Sequence, residues 1–458
     1  MDLFRVRRVP YMARRNYHYE MQHLVLWGLF AGLVEGTVSA VIVSKTFGGS
    51  NLLITVVQAT PAFANLVSIW WGAMLVGRRK LPAFIALASA SIAVSLTVGF
   101  TPHTHLGGWI FAVQILLSRL FMSGVVTTRA SLWKSNYPRS HRGRITANLQ
   151  IVRTLMSLPV ILGGGLLFDL DPMTYRLFYP VISIIGAASL YLRRKERVRG
   201  ERIALAGRNG GGKEPIADPG LTDPFSLVTL ISPFHLVPRM WRVLKEDPRF
   251  ARYCVAQGCI GSANLMAMPV NTIVLTKLLG LSYTFSNGLL DVIPRAITIA
   301  SLGLWAHLFD RIGVLRFRVY NSLCWCGSLM FCGIGALFAR QSGGHLGTAF
   351  GLAVGIYFLG RMFEGLAQSG GAIAWNIGHL HFAEDDKAEL YMGIHVSLTG
   401  LRGLIAPFVG MILYHWIDWG VFAVGFLVSG VGFVIFSRLA REESRQKKSA
   451  RQPVASRA

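Results

Sequence analysis

Leu81 to Thr101 reads LPAFIALASASIAVSLTVGFT, twenty-one residues without a single charge, preceded directly by Gly77-Arg-Arg-Lys80. A bilayer's hydrocarbon core is about 30 Å thick, and a helix rising about 1.5 Å per residue crosses it with roughly 20 apolar residues. The block is long enough to span, and its basic flank is what a span carries at its cytoplasmic end.

Working outward from this block, eleven more of similar length follow the same pattern. The candidate spans run over 21–44, 52–76, 81–101, 109–133, 146–169, 177–192, 250–275, 286–309, 317–338, 346–376, 391–416 and 419–437. Composition agrees: 52% of the residues are apolar and 15% charged, against about 25% charged in soluble domains. The expected fold is all-α, a polytopic membrane protein of about twelve helices. The first block is too long for a signal peptide's apolar core, so it reads as a retained span.

The net charge of +24 raises the question of nucleic acid, but no aromatic-basic RNA module or helix-turn-helix pattern accompanies it, so nucleic-acid binding is not expected. The basic residues lie between the apolar blocks and read as orientation signals. With residues 1–20 in the cytoplasm, the inward segments carry 36 of the 46 Lys and Arg residues. The outward loops carry four, Lys45, Arg176, Lys277 and Arg340. Both termini are therefore expected in the cytoplasm. The absence of organelle addresses points to a bacterial cytoplasmic (inner) membrane. Anionic lipids at that face suit the basic arm.

The chain divides into a basic arm (1–20), six spans (21–192), a charged and Gly-rich cytoplasmic linker (193–249), six more spans (250–437) and a basic tail (438–458). An interfacial helix is expected near Phe234 to Leu244. Gly207 to Lys213 fits the opening of a phosphate loop, but Glu214 stands where a Ser or Thr would hold magnesium, and no strand precedes it. A flexible linker is the better reading. Arg119-Leu-Phe121 with Ala130 and Trp133 recurs as Arg361-Met-Phe363 with Ala372 and Trp375 at identical spacing. Arg153 with Pro159 is echoed by Arg402 with Pro407. Six-plus-six organisation with repeated halves is characteristic of secondary transporters.

Ala306-His-Leu-Phe-Asp310-Arg311-Ile-Gly313, in the loop after the eighth span, resembles the signature of the major facilitator superfamily, a small residue followed by Asp-Arg-x-Gly. Gly72 to Lys80 keeps the Gly-Arg-Arg end of the first copy and lacks its acidic residue. The resemblance implies two pseudo-symmetric six-helix bundles around a central cavity and alternating access. It also implies cavity lining by spans 1, 4, 7 and 10. Asp310, Arg311 and Gly313, with Arg78, Arg79, Arg129 and Arg153, are the expected gating residues.

Nine charged residues lie more than three residues in from the span ends: Glu35, Arg119, Arg129, Arg153, Asp291, Arg295, Arg361, Glu364 and Arg402. A charge at mid-bilayer costs about 2.5 to 3.5 kcal/mol on insertion scales, so each must pair, reach an interface or meet water. Arg129 and Arg153 lie near the cytoplasmic ends and can snorkel. Arg119, Arg361 and Arg402, with Glu364, are candidates to bind an organic anion, since a planar guanidinium bonds both oxygens of a carboxylate. The alternative is that these arginines cap backbone carbonyls and hold helices together. Glu35 is the first candidate for proton coupling and Asp291 the second. The alternative for Glu35 is a permanent ion pair with Arg119. Asp291 and Arg295 are one turn apart and can pair, and Glu364 can pair with Arg361 or Arg402. Gly28, Gly32 and Gly36 permit close helix approach.

No catalytic residue, metal or cofactor is expected. No HExxH, GxSxG or acidic cluster is present, the His103/His105 and His379/His381 pairs lack a third ligand, and the five cysteines fall in apolar blocks. The expected function is a secondary active transporter moving a small organic, anionic solute, driven by a proton or ion gradient and working as a monomer. The alternative is a transporter-shaped sensor or assembly factor that moves nothing.

Overall fold

The computed structural model describes residues 9–75, 78–201, 237–382 and 388–449. The phosphate-loop-like stretch 207–213 lies outside these. Every regular element among the described residues is helical. In chain order they are α1 (Arg14–Glu35), α2 (Val38–Lys45), α3 (Asn51–Leu75), α4 (Lys80–Thr97), α5 (His105–Asn136), α6 (Arg139–Leu170) and α7 (Tyr175–Arg193). Then come α8 (Val237–Glu246), α9 (Pro248–Ile273), α10 (Tyr283–Asn287), α11 (Ile293–Ile312), α12 (Val314–Ser342), α13 (Thr348–Ile377), α14 (Ala388–Ile417) and α15 (Gly420–Ser449).

Eleven helical stretches are long and apolar enough to cross a membrane, or twelve if the pair α1–α2 counts as one span. That pair is bent by 44°, so the first span is broken where a single helix was expected. Gly36 is extended at the break (φ −83°, ψ −176°). Local chemistry sets several helix ends. Thr104 caps α5 by accepting from the Gly107 amide, and Asp247 caps α9 by accepting from Phe250, with Pro248 in the first turn. Gly313 separates α11 from α12 at φ +76°, a conformation that suits glycine because it has no Cβ. The side chains that face outward are largely aliphatic, among them Leu166, Leu177, Ile184 and Leu304, as lipid demands.

Two compact units divide the chain. The first holds Met1–Leu236 with Ser282–Gly288, the second Val237–Leu281 with Leu289–Ala458. In the first, α1 lies against α6 because two glycines admit it. A Cβ on Gly28 would fall 2.7 Å from the Arg153 carbonyl oxygen, and one on Gly32 would fall 2.8 Å from that of Ser157. In the second, Gly410 of α14 sits as tightly on Met266 of α9. The second unit's basic end is an aromatic core of Phe250, Tyr253, Tyr391 and Phe436.

Candidate functional site

The intramembrane charges fall into three kinds. The first is sealed. Arg119 on α5 is 5% exposed and spends its guanidinium on the broken first span. Its Nε donates to the Val34 carbonyl at 2.8 Å, and Nη2 donates to Gly36 at 2.8 Å and to the Ser39 hydroxyl at 3.1 Å. Its Nη1 donates to Val57 at 3.0 Å and to the Thr60 hydroxyl at 2.6 Å. Breaking a helix in lipid exposes carbonyls that cost free energy unless re-satisfied, and Arg119 re-satisfies them. Arg361 repeats this on α13. It is 3% exposed and donates to the Leu289 and Leu290 carbonyls, at 3.0 and 2.7 Å, where a π turn at Gly288–Val292 loosens the ladder. Glu364 pairs with Arg361 and accepts from Gln368. For Arg119 and Arg361 the carbonyl-capping alternative is the one the geometry favours.

The second kind is paired and partly exposed. Glu35 meets Arg153 through both carboxylate oxygens, at 2.7 and 2.6 Å, with side chains 25% and 17% exposed. The expected pairing of Glu35 with Arg119 is thus corrected, because the break after Glu35 turns its carboxylate toward α6 while Arg119 takes the carbonyls. Arg153 does not snorkel, and neither does Arg129, which is buried with its guanidinium over the Trp133 ring at 5.2 Å. Asp291 and Arg295 pair at 3.2 Å, 10% and 22% exposed.

The third kind has few partners. Arg318 on α12, buried against the Tyr253 and Phe436 rings, donates to Asn321 at 3.2 Å and keeps an Nε without a hydrogen-bond partner among the described residues, and Arg402 resembles it. Arg402 on α14 donates from Nη1 to the Gln257 carbonyl at 2.6 Å, and its Nε is buried without a hydrogen-bond partner among the described residues. It packs on Gly261 of α9, where a Cβ would fall 2.2 Å from Cζ.

Of the expected gate residues, Arg129 lies over Trp133 and Arg153 pairs with Glu35, and the others lie at helix ends. Asp310 and Arg311 end α11 and are exposed, as are Arg78 and Arg79 before α4. No ion pair engages Asp310 or Arg311 among the described residues.

One cluster escaped the sequence reading. Arg193, at the end of α7, lies 2.8 Å from Glu20 and 2.6 Å from Glu196, all three buried. Glu20 also accepts from Trp133 at 2.7 Å and from Tyr137 at 2.5 Å. Two carboxylates share one arginine, and burial pushes Glu196 up to about 8, with Arg193 opposing the rise and Glu20 adding to it. The one signal of it in the sequence is Trp133, which belongs to the repeat and donates to Glu20.

No group of three or more His, Cys, Asp or Glu side chains could hold a metal among the described residues. The fold is that of a helical membrane protein whose spans carry buried charges. The sequence profile of the Major Facilitator Superfamily matches residues 24–359, and the chain belongs to that family. Similar solved structures include a D-xylose-proton symporter, at 12% identity over 92% of this chain and 96% of that one, with TM-score 0.65. The nucleoside transporter NupG is 11% identical over 92% and 98%, with TM-score 0.63. A POT family transporter in complex with a thioalcohol-conjugated peptide is 10% identical over 96% and 99%, with TM-score 0.66. At such identities the likeness is one of fold. No curated protein matches the sequence.

Proposed function

We propose that this protein is a secondary active transporter that moves a small organic anion by alternating access, driven by a proton or ion gradient. The observation that carries the reading is the contrast in exposure among the intramembrane charges. Arg119 and Arg361 are sealed, whereas the Glu35–Arg153 and Asp291–Arg295 pairs are partly exposed within their spans. An ion pair facing hydrocarbon would be costly, so these pairs face a wet path.

In this reading Glu35 is the proton-coupling carboxylate, with Arg153 as the partner that holds it when it is ionised. Asp291 with Arg295 is the second such pair. Arg402 is the anion-binding arginine, because it has one hydrogen-bond acceptor among the described residues and lines an apolar groove. Arg119, Arg361 and Glu364 are structural. Asp310, Arg311 and Gly313, with Arg78 and Arg79, form the gating loops, and Arg129 braces Trp133. Both termini face the cytoplasm of a bacterial inner membrane, and the protein works as a monomer among anionic lipids.

The test is uptake by reconstituted vesicles against a panel of organic anions, neutral solutes and cations, with and without an imposed pH gradient. Saturable uptake of an anion, accelerated by the gradient, is the expected result. Vesicles that accumulate nothing from the panel, with the protein folded, would leave the non-transporting sensor standing in its place.

A further inference from the structure

The sealed arginines, the partly exposed pairs and the Glu20–Arg193–Glu196 cluster are held by several protein groups. Arg402 has one acceptor among the described residues and lines a groove. The second unit carries a groove of about 680 Å³ between α9 and α14, with Trp241 and Lys245 of α8 at one end. Its walls are almost wholly apolar, including Val255, Leu401 and Ile405, which are about half exposed. From Ala251 to Met266 the α9 wall runs about 22 Å, at about 1.5 Å per residue. The lining holds two cations, Lys245 and Arg402, and no acidic residue.

At the Arg402 level the guanidinium Nε is buried without a hydrogen-bond partner among the described residues. A buried guanidinium edge left unpaired costs free energy that a carboxylate would recover, because two-point bonding to an anion is the strongest contact arginine makes. The apolar walls would recover more from a hydrocarbon chain than from a small hydrophilic anion.

We propose that this groove binds a single-chain amphipathic anion, with its carboxylate on Arg402 and its alkyl chain along the α9–α14 walls. Resting on the reading above, the proposal names the class of solute the carrier takes. Depth selects the occupant. Arg402 lies beside Gln257 and Gly261, about 9 to 15 Å along α9 from Ala251, which is near the level of Trp241 and Lys245. The headgroup of a two-chain bilayer lipid belongs at the Trp241–Lys245 level, where the amphipathic α8 lies, and would not bring its phosphate to Arg402. A free aliphatic carboxylate is slim enough to carry its charge that far.

The test measures equilibrium binding of radiolabelled laurate to the full chain in phosphatidylcholine nanodiscs, with empty nanodiscs subtracted. Two independent variants probe the two halves of the site. Arg402→Gln removes the charge. Gly258→Phe fills the groove at a position whose Cβ direction is open space. Expected is saturable laurate binding that weakens at least about tenfold in each variant, a loss of about 1.4 kcal/mol, with acetate and dodecanol competing poorly. Binding unchanged in both folded variants overturns the proposal. So does acetate competing as well as laurate, since the chain would then go unread. Displacement of laurate by phosphatidylglycerol in the disc overturns it in favour of a bilayer-lipid site. Laurate binding without laurate uptake in vesicles leaves the site standing and refutes transport. Uptake of other anions without laurate binding refutes the site alone.

Discussion

Arg119 and Arg402 look alike in the sequence, each a lone arginine deep in an apolar block, yet the fold treats them oppositely. Arg119 has at least five acceptors, three of them carbonyls at or near a helix break or on the neighbouring helix. Among the described residues Arg402 has one, and its Nε has no hydrogen-bond partner, in a side chain that lines an apolar groove. The difference teaches that intramembrane charge is not by itself a mark of a binding site. What separates scaffold from site is how completely the protein answers the charge.

The largest expected effect tests the scaffold side. Arg119→Met removes the arginine's donors from the Val34 and Gly36 carbonyls and leaves Val57 with the Thr60 hydroxyl alone, and each buried polar group left unsatisfied costs about 1 to 3 kcal/mol. Folded protein, measured by size-exclusion yield and apparent melting temperature, is expected to fall sharply. Lysine would not rescue it, having no planar fork. A well-folded Arg119→Met protein would erase the contrast.

The Glu20–Arg193–Glu196 cluster sits between the two extremes, since here the arginine is answered twice over. Glu196 is held up at about 8, against about 4.5 in the unfolded chain. Across that window the folded state binds more protons, so stability falls as pH rises from about 4.5 to about 8. The change amounts to a few kcal/mol, on the order of three pKa units. Apparent melting temperatures at pH 5 and 8.5 should therefore differ, and Glu196→Gln should flatten the difference. A wild-type curve that rises over this range would contradict the cluster's assignment.

Smaller effects come from two glycines. Gly32→Ala sets a Cβ against the Ser157 backbone, which cannot yield, and about 1 to 3 kcal/mol of destabilisation is expected by thermal unfolding. Gly261→Ala meets only the far end of the Arg402 side chain. Its cost should stay within about 1 kcal/mol, while laurate binding weakens because the guanidinium is displaced. Equal destabilisation by both substitutions would show that Arg402 is as rigidly held as the backbone.

Much of this was legible beforehand. Twelve apolar blocks, the basic asymmetry and the Asp310-Arg311-Ile-Gly313 loop pointed to the fold and family that the structure and the family profile show. The paired Arg119/Trp133 and Arg361/Trp375 spacing marked two arginines that do hold helices in matching ways. The partners were not legible. Arg119 is answered by carbonyls about 60 to 85 residues away in sequence, and every residue carries a carbonyl, so nothing in the chain's letters marks those that a break at Gly36 will free. The same break turns Glu35 to Arg153, a change of direction that a smooth helical reading does not anticipate. Arg193 and Glu196 read as linker charges because burial at a span's end depends on what α1 and α5 bring against them.

The most direct measurement of the account is the initial rate of laurate uptake into vesicles holding equal amounts of folded wild-type and Arg402→Gln protein. The account predicts saturable wild-type uptake, faster under an imposed pH gradient, and a loss of at least about tenfold in the variant. An Arg402→Gln protein that transports at the wild-type rate would contradict it.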